Sequence, residues 1–216
     1  LSDYQRKQHA SNADREKKIA ARRMPAPIAR YLRVAAMAGA LAIIGVFRLQ
    51  AQSDDASFEI SREYSIKAAY LYQFCRYVQW PATAFADSRS PLVIGILGQS
   101  PFGDALEEIA RTKRVEGRPI VIRQFMSMTE YKPCQILFVT ASAGPAQTTA
   151  AIEMAKKAPV FLVGEEPSFI QQGGVANFFL EENRIRFEVN AEAAQHKQLK
   201  ISSKLLSLAK IVREQP

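Results

Sequence analysis

Residues able to carry catalysis are few and badly spaced in this chain of 216 residues. Past residue 51 one histidine is left, His196 in AAQHKQ, and its polar neighbours mark it as a solvated helix residue rather than a general base. Glu165 and Glu166 stand together after an apolar run. Paired acids can divide acid and base roles, but a solvated acidic turn ahead of Pro167 is the preferred reading. Patterns of the H-E-x-x-H, C-x-x-C, G-x-S-x-G and G-x-x-x-x-G-K-[ST] kinds are missing, and no His/Cys pair has metal-ligand spacing. No catalytic, cofactor-binding or metal residue is therefore assigned, and the chain is expected not to be an enzyme. Three other features merit weighing. Gly95-Ile-Leu-Gly98, with Ser100, Phe102 and Gly103 behind it, sets backbone N–H groups at the end of an apolar strand, where open α/β sheets bind ligands. An ordinary tight turn is the blander account of that segment. Gly173-Gly174 supplies a left-handed turn before a later strand. Cys75 and Cys134 permit a single bridge in an oxidising compartment.

That compartment is indicated near the start of the chain. MPAPIARYLR carries Arg30 and Arg33, VAAMAGALAIIGVF (Val34 to Phe47) is apolar and uncharged, and RLQAQ ends in small residues. The order is that of a secretory signal over 24–51, with Ala51 the last residue removed. Such a run is too short for a bilayer core, which takes about 20 residues at roughly 1.5 Å each. An uncleaved anchor, tilted and helped by Arg48, is the competing reading. Residues 1–23 are polar and lack apolar periodicity, which suits an upstream or disordered segment.

Charge divides at the same place. The chain is +8 overall, but residues 1–51 hold 10 of the 29 Lys+Arg and 3 of the 21 Asp+Glu, leaving +1 for residues 52–216. A near-neutral domain has no electrostatic reason to seek nucleic acid. Its length, about 165 residues, suits one domain with a real core.

Hydropathy then places the elements. Residues 52–60 read as a linker and 61–216 as the domain. Tyr64, Ala68, Leu71, Cys75 and Val78 form a narrow helical stripe that Pro81 ends. Of the nearby aromatics, Tyr70, Tyr77 and Trp80 fall off the stripe and are the candidates to meet a partner. Apolar runs at 91–98, 118–125, 135–140 and 159–164 read as strands. One helix starting at Ser100 and Pro101 follows the first run, and another, from Gly144 to about Lys157, follows the third. GVANFFLEE and RIRFEVN read as an antiparallel hairpin turning at Glu182 and Asn183, and SSKLLSLAKIV as a closing amphipathic helix. The expected fold is a single α/β domain with a mainly parallel sheet covered by helices on both faces.

Five ordered blocks, YSIKAAYLYQFCRYVQWP, VIGILGQSPFGDAL, CQILFVT, GGVANFFLEENRIRFEVN and ISSKLLSLAKIV, resemble the YfiR-like family over about residues 63–213. The resemblance implies a secreted, non-catalytic periplasmic regulator without a cofactor. It implies a protein that binds the periplasmic region of an inner-membrane diguanylate cyclase, holds it inactive, and so restrains cyclic-di-GMP and biofilm growth. Homodimers and redox-sensitive cysteines are also implied, with Cys134 at a recurrent position and Cys75 outside the pattern. The alternative is a small-ligand-binding sensor module for another membrane receptor, such as a sensor kinase, using the crevice of Gly98 to Gly103.

Overall fold

The computed structural model describes residues 58–213, so the expected leader and the segment before it lie outside the described residues. Helix α1 covers 58–77, which makes residues 58–60 helical rather than linker. Its buried face is the expected stripe, Ala68, Leu71 and Cys75, widened by Phe74 and by Lys67. The chain then passes through β1 (Val78–Gln79) to Pro81, whose ring keeps Trp80 out of helical geometry.

The main sheet has eight strands in the order β10-β8-β7-β6-β5-β2-β4-β3. These are β2 (Leu92–Leu97), β3 (Arg114–Val115), β4 (Arg118–Phe125), β5 (Ile136–Val139), β6 (Phe161–Gly164), β7 (Ala176–Glu181), β8 (Arg184–Asn190) and β10 (Lys210–Val212). From β4 to β7 every neighbouring pair is parallel, and the chain order across them is the doubly wound 2-1-3-4-5. The mainly parallel sheet is as expected, and β2, β5 and β6 are buried throughout, as strands covered on both faces must be. Right-handed crossovers put α2 (Ala105–Thr112) and α3 (Gly144–Ala155) on opposite faces. Helix α1 shares the α2 face: Phe74 meets Phe161, Phe178 and Phe187 with centroids 5.2, 5.9 and 5.1 Å apart.

The β7–β8 hairpin is antiparallel, and Glu182 (φ 49°) and Asn183 (φ 59°) make the left-handed two-residue turn that suits the strand twist. Two expected helices differ. The helix placed at Ser100 begins only at Ala105, because Phe102 turns into the core against Phe138 and Gly103 takes a left-handed φ of +52°. The closing helix is one turn, α5 (Ser203–Leu206), with the Ser202 hydroxyl accepting from the Leu205 N–H at 3.3 Å. The chain beyond it becomes β10, since the edge of β8 offers partners to the backbone around Ile211 and Val212. Between the hairpin and α5, helix α4 (Ala191–His196) leads to β9 (Lys200–Ile201), which pairs with β1.

Candidate functional site

In a doubly wound sheet the crevice for a ligand opens where the strand order reverses, here at the C-terminal ends of β2 and β5. The chain's own groups fill it. Gly98 sits at φ +98°, and a Cβ there would lie 2.3 Å from Thr140 Oγ1 and 2.8 Å from Ser142 Oγ. The Gly98 N–H donates to the Phe125 carbonyl at 2.9 Å and the Gln99 N–H to Ser142 Oγ at 2.8 Å. Phe102 is core, 5.4 Å from the Tyr64 ring, and Gly103 faces open space. The crevice residues expected from the sequence therefore do not form one cradle; Ser100 alone lines a shallow cavity, with Ile96, Ile122 and Gln124.

The anion position beside this turn holds an internal carboxylate. Glu165, one residue past β6, accepts from the Ala141 N–H at 3.0 Å through Oε1. Its Oε2 accepts from Lys67 Nζ at 2.7 Å and from the Tyr64 hydroxyl at 3.1 Å. Lys67 is 4 % exposed, pairs also with Glu63 at 2.5 Å, and stands 4.4 Å from the Tyr64 ring centroid. Burial, and then the Glu165 charge, hold the Tyr64 phenol above its ordinary pKa. Both oxygens of this carboxylate are committed to donors within the chain. The arrangement is a latch that fastens α1 to the end of the sheet. Glu166, the expected second acid, is exposed.

Lys67 was legible as a position but not as a partner. It lies three residues after Tyr64 and four before Leu71, on the buried stripe, with Glu63 one turn earlier. His196 is exposed at the end of α4. Gly173 takes φ +111°, and the Gly174 N–H donates to the Phe169 carbonyl at 3.0 Å, so this pair turns the chain, as expected.

The single bridge that Cys75 and Cys134 permit is not formed: both thiols are free and buried. Side chains alternate along β2, so Leu92 and Gly95 address opposite faces. Cys75 borders the same cavity as Leu92, on the α1 face. Cys134 Sγ lies 3.0 Å from the place of a Gly95 Cβ, beside Phe125 and Leu137. The sheet stands between the two sulfurs. Burial pushes the Cys134 thiol up to about 12 and the Cys75 thiol upward as well, from an ordinary 9.0. The folded chain thus keeps protons that the unfolded chain releases above that value. Stability is expected to be undiminished by these groups below pH 9.0 and to fall as pH rises through it, with the raised phenols of Tyr64 and Tyr131 adding to the loss higher up. Urea midpoints at about pH 8 and about pH 10 measure this, and a double alanine variant of the cysteines should flatten the slope.

The three aromatics marked for a partner are all half-buried. Tyr70 packs on Phe187 and Phe178 at 5.1 and 6.0 Å, and the Trp80 indole N–H donates to the Gln135 carbonyl at 3.0 Å. Both are held by the core, Tyr70 because the buried face of α1 is wider than the narrow stripe and Trp80 through its bond to Gln135. Tyr77 lies nearer the surface between Arg76 and Lys204, and a hydrogen bond from Lys204 keeps its phenol below the ordinary pKa.

Fold and site together define a doubly wound α/β domain whose ligand crevice is closed by an internal ion pair. The chain belongs to the YfiR/HmsC-like family, whose model matches residues 64–210. A crystal structure of a conserved domain protein from Vibrio cholerae O1 biovar El Tor is similar over 56% of this chain and 54% of its own, at 12% identity and a TM-score of 0.43. The chain thus spans about half the length of that protein. No curated protein matches it. Among the described residues no helix is long and apolar enough to cross a membrane.

Proposed function

We propose that this chain is a periplasmic regulatory protein that binds the periplasmic part of an inner-membrane diguanylate cyclase and holds the cyclase inactive. The observation that carries this reading is family membership across residues 64–210, nearly the whole described domain. The commitment of Glu165 to Lys67, Tyr64 and Ala141 agrees with output through a surface rather than through acid–base chemistry. Tyr77 is the aromatic best placed to serve as a partner anchor, since Tyr70 and Trp80 are spent on the core.

Deleting the gene should raise cellular cyclic-di-GMP and increase biofilm, because loss of an inhibitor frees its target. Tyr77→Ala should reproduce much of that rise by weakening the partner complex by about 2 kcal/mol or more, at an unchanged urea midpoint. A nucleotide reporter reads both strains. Unaltered cyclic-di-GMP in the deletion strain, with an intact cyclase encoded beside the gene, would rule the inhibitor reading out.

A further inference from the structure

The N-terminal edge of the sheet, opposite the closed crevice, carries a cavity of about 360 Å³. Cys75 of α1 and Leu92 at the start of β2 line it, and Val115 of β3 bounds it. Trp80 and Phe85, from the segment joining β1 to β2, give it two aromatic walls, and Arg118 at the start of β4 gives it a cation. Its volume falls within the range of about 300–1,000 Å³ for sites of small organic molecules, and its wall joins an apolar side of Trp80, Phe85, Leu92 and Val115 to a polar side of Gln79, Glu116 and Arg118.

The walls are set before any ligand arrives. Trp80 is pinned by its hydrogen bond to the Gln135 carbonyl. The side chain of the same Gln135 donates to the Ala84 carbonyl at 2.6 Å and accepts from the Val93 N–H at 2.8 Å. One buried glutamine therefore ties the segment to β2 and β5, and little ordering is left for binding to offset. Arg118 lies 4.1 Å from the Phe85 ring centroid and gives Nη1 to the carbonyls of Asp87 at 3.0 Å and Ser90 at 2.6 Å. A guanidinium carries five donors in a planar fork that matches a carboxylate. Those two bonds engage Nη1 alone. Two acids stand near it: Glu116 borders the cavity but is exposed at the β3–β4 turn and can turn to solvent, and Asp87, whose charge feels Arg118, is exposed and accepts from the Arg89 N–H at 2.7 Å.

We propose that this cavity binds a small organic carboxylate with a flat apolar body, the carboxylate on the free edge of the Arg118 guanidinium and the body between Trp80 and Phe85. A neutral apolar molecule would leave the free edge of that guanidinium without an acceptor, and inorganic phosphate would be set against walls of Trp80, Leu92 and Val115 that offer it nothing. The site does not depend on the cyclase reading, because a ligand here is measured on the isolated protein and needs no partner.

Trp80 is the only tryptophan of the chain, so its emission reports directly on the cavity. Titrating the full chain with phenylacetate should change that emission saturably, with heat of binding seen by calorimetry. Phenylacetamide, with the same body and no charge, should bind about tenfold or more weakly, the usual worth of a hydrogen bond to a charged group. Ala82→Leu, at an exposed position bordering the cavity, should abolish saturation at an unchanged urea midpoint. Arg118→Lys should weaken phenylacetate and leave phenylacetamide as it was. Failure of phenylacetate to saturate, equal affinity for the amide, or full binding by Ala82→Leu would each overturn the proposal.

Discussion

Replacing Lys67 by alanine should lower the unfolding free energy by about 3–5 kcal/mol, the usual result of removing one partner from a buried ion pair. The side chains of Lys67 and Glu165 are 5% and 6% exposed, so water does not replace the ammonium when it goes. The Glu165 carboxylate would keep the Ala141 N–H and the Tyr64 hydroxyl but lose its only buried cation. Glu63 is 38% exposed on its side chain and can turn to solvent, so most of the loss falls on Glu165. Adding Glu165→Gln should recover a large part of it, because a neutral amide costs far less to bury than a carboxylate. Urea unfolding of the two single variants and the double variant makes the cycle. Equal midpoints for wild type and Lys67→Ala would show the latch to be energetically idle.

This pair also marks the limit of what the sequence displays. Strands β2, β5 and β6 are legible because a buried strand must be apolar at every position, and the α1 stripe because a helix repeats its buried face every turn. Such signals are local. Lys67 and Glu165 are 98 residues apart, and only the closing of the sheet brings them together. Gln135 is the same case: read as the first residue of a strand, it proves to hold the Trp80 segment through contacts 55 and 51 residues away. The thiols fail the other way. Cys75 lies on a predicted buried stripe and Cys134 just ahead of a predicted strand, but which face of the sheet each addresses follows from register, and that is settled by pairing rather than by composition. The late start of α2 and the short α5 were lost to tertiary pull, Phe102 toward Phe138 and Ile211 toward the edge of β8.

The second large effect should come from the apolar fastening of the same helix. Phe74→Ala is expected to cost about 3–5 kcal/mol, since it removes a fully buried ring and the surroundings collapse only in part. Phe161, Phe178 and Phe187 surround it and lie on three different strands, β6, β7 and β8, so no single side-chain shift fills the space. Against a total stability of about 5–15 kcal/mol for an ordinary domain, either this variant or Lys67→Ala removes a large share. Phe74→Leu should cost clearly less, because it keeps most of the volume. The two fastenings hold α1 at different points, the ion pair at the C-terminal end of the sheet and the ring in its middle, and α1 carries Tyr77. A domain that loses either one should therefore lose partner binding together with stability, while Tyr77→Ala should lose binding alone. Urea midpoints read beside cyclic-di-GMP in the same strains separate these outcomes. A Phe74→Ala protein with the wild-type midpoint would mean that α1 is held to the sheet by something other than its aromatic face.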